Sequence, residues 1–405
     1  MEDATSSPDK PDDDVDLSSP DSSPTRLPFV PFNPPFRVTV PEAIKNGEVL
    51  QFTIKVYKWD EDQEVSEVTR DYGDVEWLHH NIITQNNIDG IIVPPLPNRP
   101  EVDAKSAESK SKKQLGSDSR IVIPDEFSRD CRQIEKYLRM LLAHESFGKD
   151  KNLETFLCEK EAAIKAQVKH GFFSRMSSAV ETARKEHHRD IDEFFSKKRE
   201  WSINYSKAIK DTCSDFNKMV NAQHRLAGSY ASFSLALQQG GVNRDLTTET
   251  INKYLTRLSD ATDNTKHGLE VLCKNDERTL GFQLDLYVRY IDSVKDMLFR
   301  RTCLLVEYED ANRALDKAKP AKRKQAEEQK ESAEAKYEMC CDNARREKYE
   351  MCCDNARKEF KTYLQTRMLA YQDGMVSYVE SQIKTARDTY TLLAKTMTQL
   401  KQAED

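Results

Sequence analysis

Lys317-Ala318-Lys319-Pro320-Ala321-Lys322-Arg323-Lys324 contains the last of the chain's 15 prolines, the other fourteen lying in the first 124 of 405 residues. Proline removes a backbone donor and clashes with the preceding turn, so proline-free sequence rich in Glu, Lys, Ala, Leu and Gln on both sides of this octet permits very long helices. The spacing predicts a first helix over 190–239, with Phe194, Trp201, Tyr205, Ile209, Phe216, Met219, Leu226, Tyr230, Phe233 and Leu237 on one broad stripe. Gly240-Gly241-Val242-Asn243 stops it, because glycine and asparagine suit the left-handed end of a helix. A second helix is expected over 246–317 and a third over 322–402. At a rise of about 1.5 Å per residue the second alone spans roughly 110 Å. The C-terminal half is therefore read as a rod, and its one expected break is also a compact positive cluster.

Along the second helix Tyr287, Ile291, Val294, Leu298, Leu305, Tyr308 and Leu315 occupy positions of a seven-residue repeat, interrupted by Arg301 and Asn312. Such a seam wants partner helices, and its burial is expected to need a second bundle, hence a dimer. Upstream, Val168, Phe172, Met176 and Val180 recur every four residues after Ile164, with Phe173 beside them and Lys165, Lys169, His170 and Arg175 flanking. Two readings of this linking helix, 161–186, stay open: an apolar wedge set into lipid headgroups, favoured by its place ahead of the rod, or a stripe packed against the rod.

The N-terminal part has a different grain. Residues 1–33 form a tail rich in Ser, Pro and Asp, and over 1–26 eight acids face only Lys10 and Arg26; it buries no apolar area and is expected to be disordered, with Ser7-Pro8, Ser19-Pro20 and Ser23-Pro24 as phosphorylation candidates. The formal net charge of −7 belongs mostly to this tail, leaving the rest near neutral. From 34 to 160, alternating runs such as Phe36-Arg37-Val38-Thr39-Val40 and Phe52-Thr53-Ile54-Lys55-Val56-Tyr57 predict three strands, the third near Ser66 to Tyr72. Helices are expected at Val75 to Ile83 and Asp125 to Ala143, separated by the proline-rich loop Gly90 to Pro100.

The order of motifs in this domain, Val68-Thr69-Arg70-Asp71-Tyr72-Gly73-Asp74-Val75-Glu76-Trp77-Leu78, the Pro-Pro-x-Pro loop, Ile134-Glu135-Lys136-Tyr137-Leu138 and then Leu142-Ala143-His144, resembles a phox-homology (PX) domain. Three long helices with a basic turn at 187–405, behind an amphipathic segment, resemble the BAR domain of the PX-BAR sorting nexins. Tyr308-Glu309-Asp310-Ala311-Asn312-Arg313-Ala314-Leu315-Asp316-Lys317-Ala318 and Leu298-Phe299-Arg300-Arg301 echo the retromer-associated branch numbered 5, 6 and 32. The resemblance implies an α+β PX domain, a three-stranded antiparallel sheet plus helices, followed by an all-α BAR domain that dimerises into a curved six-helix bundle.

In the family an arginine immediately before the tyrosine of the first motif grips the 3-phosphate of a phosphoinositide; here that position is Asp71, ahead of Tyr72. A second basic position falls on Asp130. A carboxylate reverses the Coulomb sign at a phosphate site and donates nothing when ionised, so the pocket is expected to be degenerate. Either Arg70 or Lys105 compensates, or the domain recognises proteins instead. The related branch binds transmembrane cargo tails through an apolar groove, to which Phe127 aligns, although Phe127 serves equally well in helix packing and the branch's long helical insertion is replaced here by a short Ser- and Lys-rich stretch, Glu101 to Ile123.

Carried over by position, Lys317, Lys319, Lys322, Arg323 and Lys324 become contacts of the rod tip with anionic lipid, and Arg300 and Arg301 weaker ones; Phe172, Phe173, Met176 and Val180 become membrane-inserting residues. The resemblance implies a peripheral protein on the cytosolic face of early endosomes and their tubules, sorting cargo in endosome-to-Golgi retrograde transport. Its implied partners are another PX-BAR sorting nexin or a second copy, the retromer cargo complex and dynactin. The alternatives are a cytosolic coiled-coil scaffold that never touches lipid, and independent phosphoinositide reading through Arg70.

No run of about 18 apolar residues and no charged-then-apolar leader occurs, so a cytosolic protein that neither spans a membrane nor enters the secretory route is expected, and nine cysteines without a framework spacing suit a reducing compartment. No phosphate-cradling glycine loop, nucleophile elbow or metalloprotease motif is found, so neither an enzyme nor a cofactor is expected, and a near-neutral folded part disfavours nucleic acid. Residues 336–347, KYEMCCDNARRE, are repeated at 348–359 as KYEMCCDNARKE, differing only at Arg346 against Lys358. Twelve residues advance a helix by three turns and about 120°, so the copy is expected to break the register of the apolar face. Its paired cysteines make no metal site, since no histidine follows His267 and adjacent residues on a helix diverge by about 100°.

Overall fold

The structure is a computed structural model that describes residues 33–59, 63–115, 127–161, 188, 190, 192–239, 246–326 and 333–402. Three strands, β1 (Phe36–Asn46), β2 (Val49–Lys58) and β3 (Glu64–Asp71), form one antiparallel sheet in the order β1-β2-β3, with a bulge between Thr39 and Glu42. Alternation places Val38 and Val40, then Leu50, Phe52, Ile54 and Val56, then Val68, on one covered face. Against that face pack α1 (Tyr72–Gln85) through Val75, Leu78 and Ile82, α3 (Ser128–Leu142) through Ile134, Tyr137, Leu138 and Leu141, and α4 (Lys151–Cys158) through Leu153, Phe156 and Leu157. Each such side chain contributes about 1.5–3 kcal/mol on leaving water, which is ample for an independent core. Between α1 and α3 lies α2 (Ala104–Leu115), a helix in the Ser- and Lys-rich stretch where none was expected.

The rod consists of α5 (Glu193–Gln239), α6 (Leu246–Asp276), α7 (Phe282–Ala326) and α8 (Ala333–Lys401). A π-helical turn, Glu277–Gly281, joins α6 to α7 with helical dihedrals at both ends, so the two are one helix carrying a single wide turn. That interruption, and the end of α7, differ from the expected pattern. Helix α7 does not stop at Lys317 but continues through Pro320 to Ala326.

The heptad residues of α7 also behave differently from expectation. Tyr287, Ile291, Val294 and Leu298 are already buried within one chain, packed with Phe195 and Ile209 of α5 and with Ala356, Phe360 and Tyr363 of α8, and Leu305 is buried as well. A second bundle is not needed to cover them, because α5 and α8 flank α7 and supply the partner helices the seam wanted. The second repeat copy is buried there too: Cys352, Cys353 and Ala356 lie inside, while Lys358, where the copies differ, is exposed.

Candidate functional site

The basic and acidic residues at the end of β3 all have structural partners. Arg70, on the covered face of β3 and only 2% exposed, donates from Nε to the Phe156 carbonyl at 3.1 Å, from Nη1 to Thr69 and Lys160 at 3.0 and 3.4 Å, and from Nη2 to Glu159. Its guanidinium thus closes the carbonyl end of α4, where a cation is favoured, and sits 5.3 Å from the Phe156 ring. Burial lowers its pKa, against the raising influence of Asp74 and Glu159. All three nitrogens serve main-chain oxygens of this domain.

Asp71 takes the N-cap of α1: its carboxylate accepts from the Asp74 N–H at 2.9 Å, and the Asp74 carboxylate accepts from the Asp71 N–H at 2.8 Å. A carboxylate therefore stands at the N-terminus of α1. Tyr72 donates its hydroxyl to the Pro97 carbonyl at 2.7 Å, and burial, with Glu76 adding, pushes its pKa up to about 12. Arg99 lies 5.4 Å over the Tyr72 ring and pairs with Glu76 at 2.8 Å. Asp130 lies in the first turn of α3, across a left-handed Phe127 (φ 50°) whose ring packs partly buried on the domain core.

Sequence reasoning missed a contact between the two domains. The loop from Asp89 to Leu96 is clasped by the rod. Arg300 Nη2 donates to the Ile91 carbonyl at 2.7 Å and Arg289 Nη1 to the Leu96 carbonyl at 3.2 Å. Asn355 Nδ2 donates to the Asp89 carbonyl at 3.3 Å, Lys348 pairs with the Asp89 carboxylate at 3.2 Å, and Glu359 accepts from the Ile92 N–H at 3.2 Å with His144 Nε2 3.3 Å away. Gly90, at φ +77°, touches the helix backbone so closely that an added Cβ would overlap the Cys352 carbonyl oxygen. The only available signal was a glycine opening the apolar run Ile91-Ile92-Val93, which periodicity alone leaves without a partner.

This seat corrects the reading of Arg300 and Arg301 as lipid contacts. Arg300 is turned into the domain junction. Arg301 is 0% exposed: it pairs with the equally buried Asp190, donates to the Tyr349 hydroxyl at 2.7 Å and to Cys353 Sγ at 3.3 Å, and lies 3.6 Å from the centre of the Phe195 ring. Arg301 does not face solvent as a lipid contact must, and Arg300 is half-buried with its Nη2 spent on the Ile91 carbonyl. Lys317, Lys319, Lys322, Arg323 and Lys324 fall in the last turns of α7, but their side chains lie outside the described residues, as does the amphipathic segment with Phe172, Phe173, Met176 and Val180.

The rod also presents an apolar stripe. On α8 Met368, Met375, Val379, Ile383, Tyr390, Leu393 and Met397 are exposed, Met375 to 51% and Tyr390 to 76%, at steps of seven, four and three residues. On α5 Met219, Leu226 and Phe233 repeat every seven residues and are likewise exposed. The stripe expected along α5 is thus divided: its first half packs within the chain and its second half faces outward. Among the described residues no helix is long and apolar enough to cross a membrane.

Comparison with known proteins agrees with this arrangement. A family model described as Vps5 C terminal like matches residues 169–398, and the PX domain model matches residues 60–160. Mouse sorting nexin-32 is 23% identical over 392 residues, covering 91% of this chain and 93% of that protein; human sorting nexin-6 is 26% identical over 382 residues, covering 88% and 89%. Vacuolar protein sorting-associated protein 5 of Saccharomyces cerevisiae is 21% identical over 308 residues, 66% of this chain and 43% of that one. The solved SNX-BAR Mvp1 tetramer shares the fold at a TM-score of 0.51 and 12% identity, over 90% of this chain and 99% of that chain. A PX core seated on a long helical rod, with both family models matched in order, places the chain in the PX-BAR sorting nexin family, whose members act in membrane trafficking.

Proposed function

We propose that this chain is a peripheral membrane protein of endosomes that dimerises into a curved module, senses or stabilises tubule curvature, and sorts transmembrane cargo for retrograde return to the Golgi. The observation that carries this reading is the exposed apolar stripe on α5 and α8. Its spacing of seven, four and three residues suits helix-to-helix packing against a second rod. That second rod is another copy or a PX-BAR sorting nexin with an intact phosphoinositide pocket, because Asp71 occupies an N-cap and Arg70 is committed to α4, leaving the local pocket degenerate. The cluster Lys317 to Lys324 supplies the lipid contact at the rod end, each charge worth about 1 kcal/mol near an anionic leaflet. Retromer cargo complex and dynactin are the protein partners that family membership suggests.

The test is sedimentation of the dimer with vesicles containing phosphatidylserine, comparing the parent chain with the triple variant Lys322→Glu, Arg323→Glu and Lys324→Glu. Loss of the three attractive charges alone weakens binding by about 3 kcal/mol, roughly a hundredfold, with mass measurement confirming that the dimer persists. Absence of vesicle binding in the parent chain as well as in the variant would instead select the protein-bridging scaffold.

A further inference from the structure

Helices α7 and α8 pair antiparallel in a steady register. Gln283 meets Gly374, Tyr290 meets Tyr363, Arg301 meets Cys353 and Tyr308 stacks on Tyr349, so each step outward along α7 is matched by one along α8. The same register extends inward to Asp276 and Gln382. Continued outward, the register runs to the end of α7 at Ala326 and the start of α8 at Ala333. Pro320 lies inside α7, where a proline forfeits a helix hydrogen bond.

The tandem copy accounts for this misplaced proline. Only the second copy, 348–359, makes the described contacts to the PX loop, through Lys348, Cys352, Asn355, Ala356 and Glu359. The first copy, 336–347, lies on the tip side of that seat and repeats the same residues except for Arg346 in place of Lys358, an exposed position. Deleting either copy therefore leaves a full seat sequence. Twelve residues divided between two antiparallel arms change each arm by about six residues, or about 9 Å. With one copy removed and the register inward of it kept, the end of α7 moves about six residues inward, from Ala326 to Pro320, where a proline and a positive cluster belong at a helix end.

We infer that the duplicate is an arm extension: it pushes the rod tip about 9 Å beyond the PX seat, forces α7 through Pro320, and shifts the Lys317 to Lys324 cluster from the turn onto the shaft of the arm. This placement rests on helix register alone and holds whatever the tip binds.

Hydrogen exchange and small-angle scattering on the full chain, Δ336–347, Pro320→Ala and the combined variant test it. In the full chain amides 321–326 are protected, and Pro320→Ala raises their protection roughly a hundredfold, the equilibrium equivalent of restoring a helix-interior position. In Δ336–347 those amides lose protection, Pro320→Ala has no effect on them, residues 88–96 stay protected on the seat, and each arm shortens by about 9 Å. Three results overturn the inference: an equal effect of Pro320→Ala in both backgrounds, protection through residue 326 after the deletion, or loss of protection at 88–96. The deletion Δ348–359, which yields the same sequence apart from arginine in place of lysine near the seat, must behave like Δ336–347.

Discussion

Replacing Arg301 by methionine separates a buried structural charge from a lipid contact. Arg301 and Asp190 are 0% and 1% exposed at their side chains, and two guanidinium nitrogens address the two carboxylate oxygens. Burial opposes the Arg301 charge, yet hydrogen bonding and attraction from Asp190 leave its pKa raised, so the guanidinium keeps its charge. In Arg301→Met the Asp190 carboxylate stays buried with only Arg199, at 3.6 Å, for compensation. Removing one member of such a pair costs about 3–5 kcal/mol, and Arg199 reduces this toward the lower figure. The double variant Arg301→Met with Asp190→Asn should recover most of the loss, because no uncompensated charge remains while the methionine still packs on Phe195 and Tyr349. Urea unfolding followed by circular dichroism measures all three proteins, and vesicle sedimentation is run under folded conditions. A single variant that unfolds like the parent while losing vesicle binding would refute the burial of Arg301 and return it to the membrane face. A double variant no more stable than the single one would refute the pairing.

Two further outcomes follow from the same geometry. Gly90→Ala places a methyl group against the Cys352 carbonyl at a residue held at φ +77°; it should release the PX loop from α8, raising hydrogen exchange over 88–96 by at least about tenfold, and unchanged exchange there would show that the seat does not depend on this close approach. Asp276 is fully buried beside the π-helical turn, with both oxygens accepting from Gln382 Nε2 at 2.9 and 3.1 Å, and burial raises its pKa from 3.8 to about 6 despite the bonds from Gln223 and Gln382. A carboxyl whose folded pKa is raised holds its proton better when folded, so its penalty is absent below the unfolded value, grows between about pH 4 and 6, and is complete above. Asp276→Asn should accordingly raise stability at pH 7 by about 2 kcal/mol and leave it little changed at pH 4, as read from urea midpoints; an equal change at both pH values would remove the carboxyl as the cause.

Local physics made much of this molecule legible in its residues. Strict alternation in Phe52 to Tyr57 located β2, whereas α1 begins at Tyr72, three residues before the expected Val75, because Asp71 caps it there. The long run without proline implied long helices, because helix formation depends on near neighbours. What tertiary structure decided was which surface covers each stripe. Periodicity puts Tyr287, Ile291 and Val294 on one face, but only the packing of α5 and α8 shows that this face is closed within a single chain, while Met375 and Val379 remain open. The fate of each arginine was equally hidden: Arg70, Arg300 and Arg301 are chemically the same, and partners as distant in sequence as Phe156, Ile91 and Asp190 assign them to a helix end, a domain junction and a buried ion pair. Helical spacing is a property of a few consecutive residues, whereas burial and charge pairing belong to groups that meet only once the chain has folded.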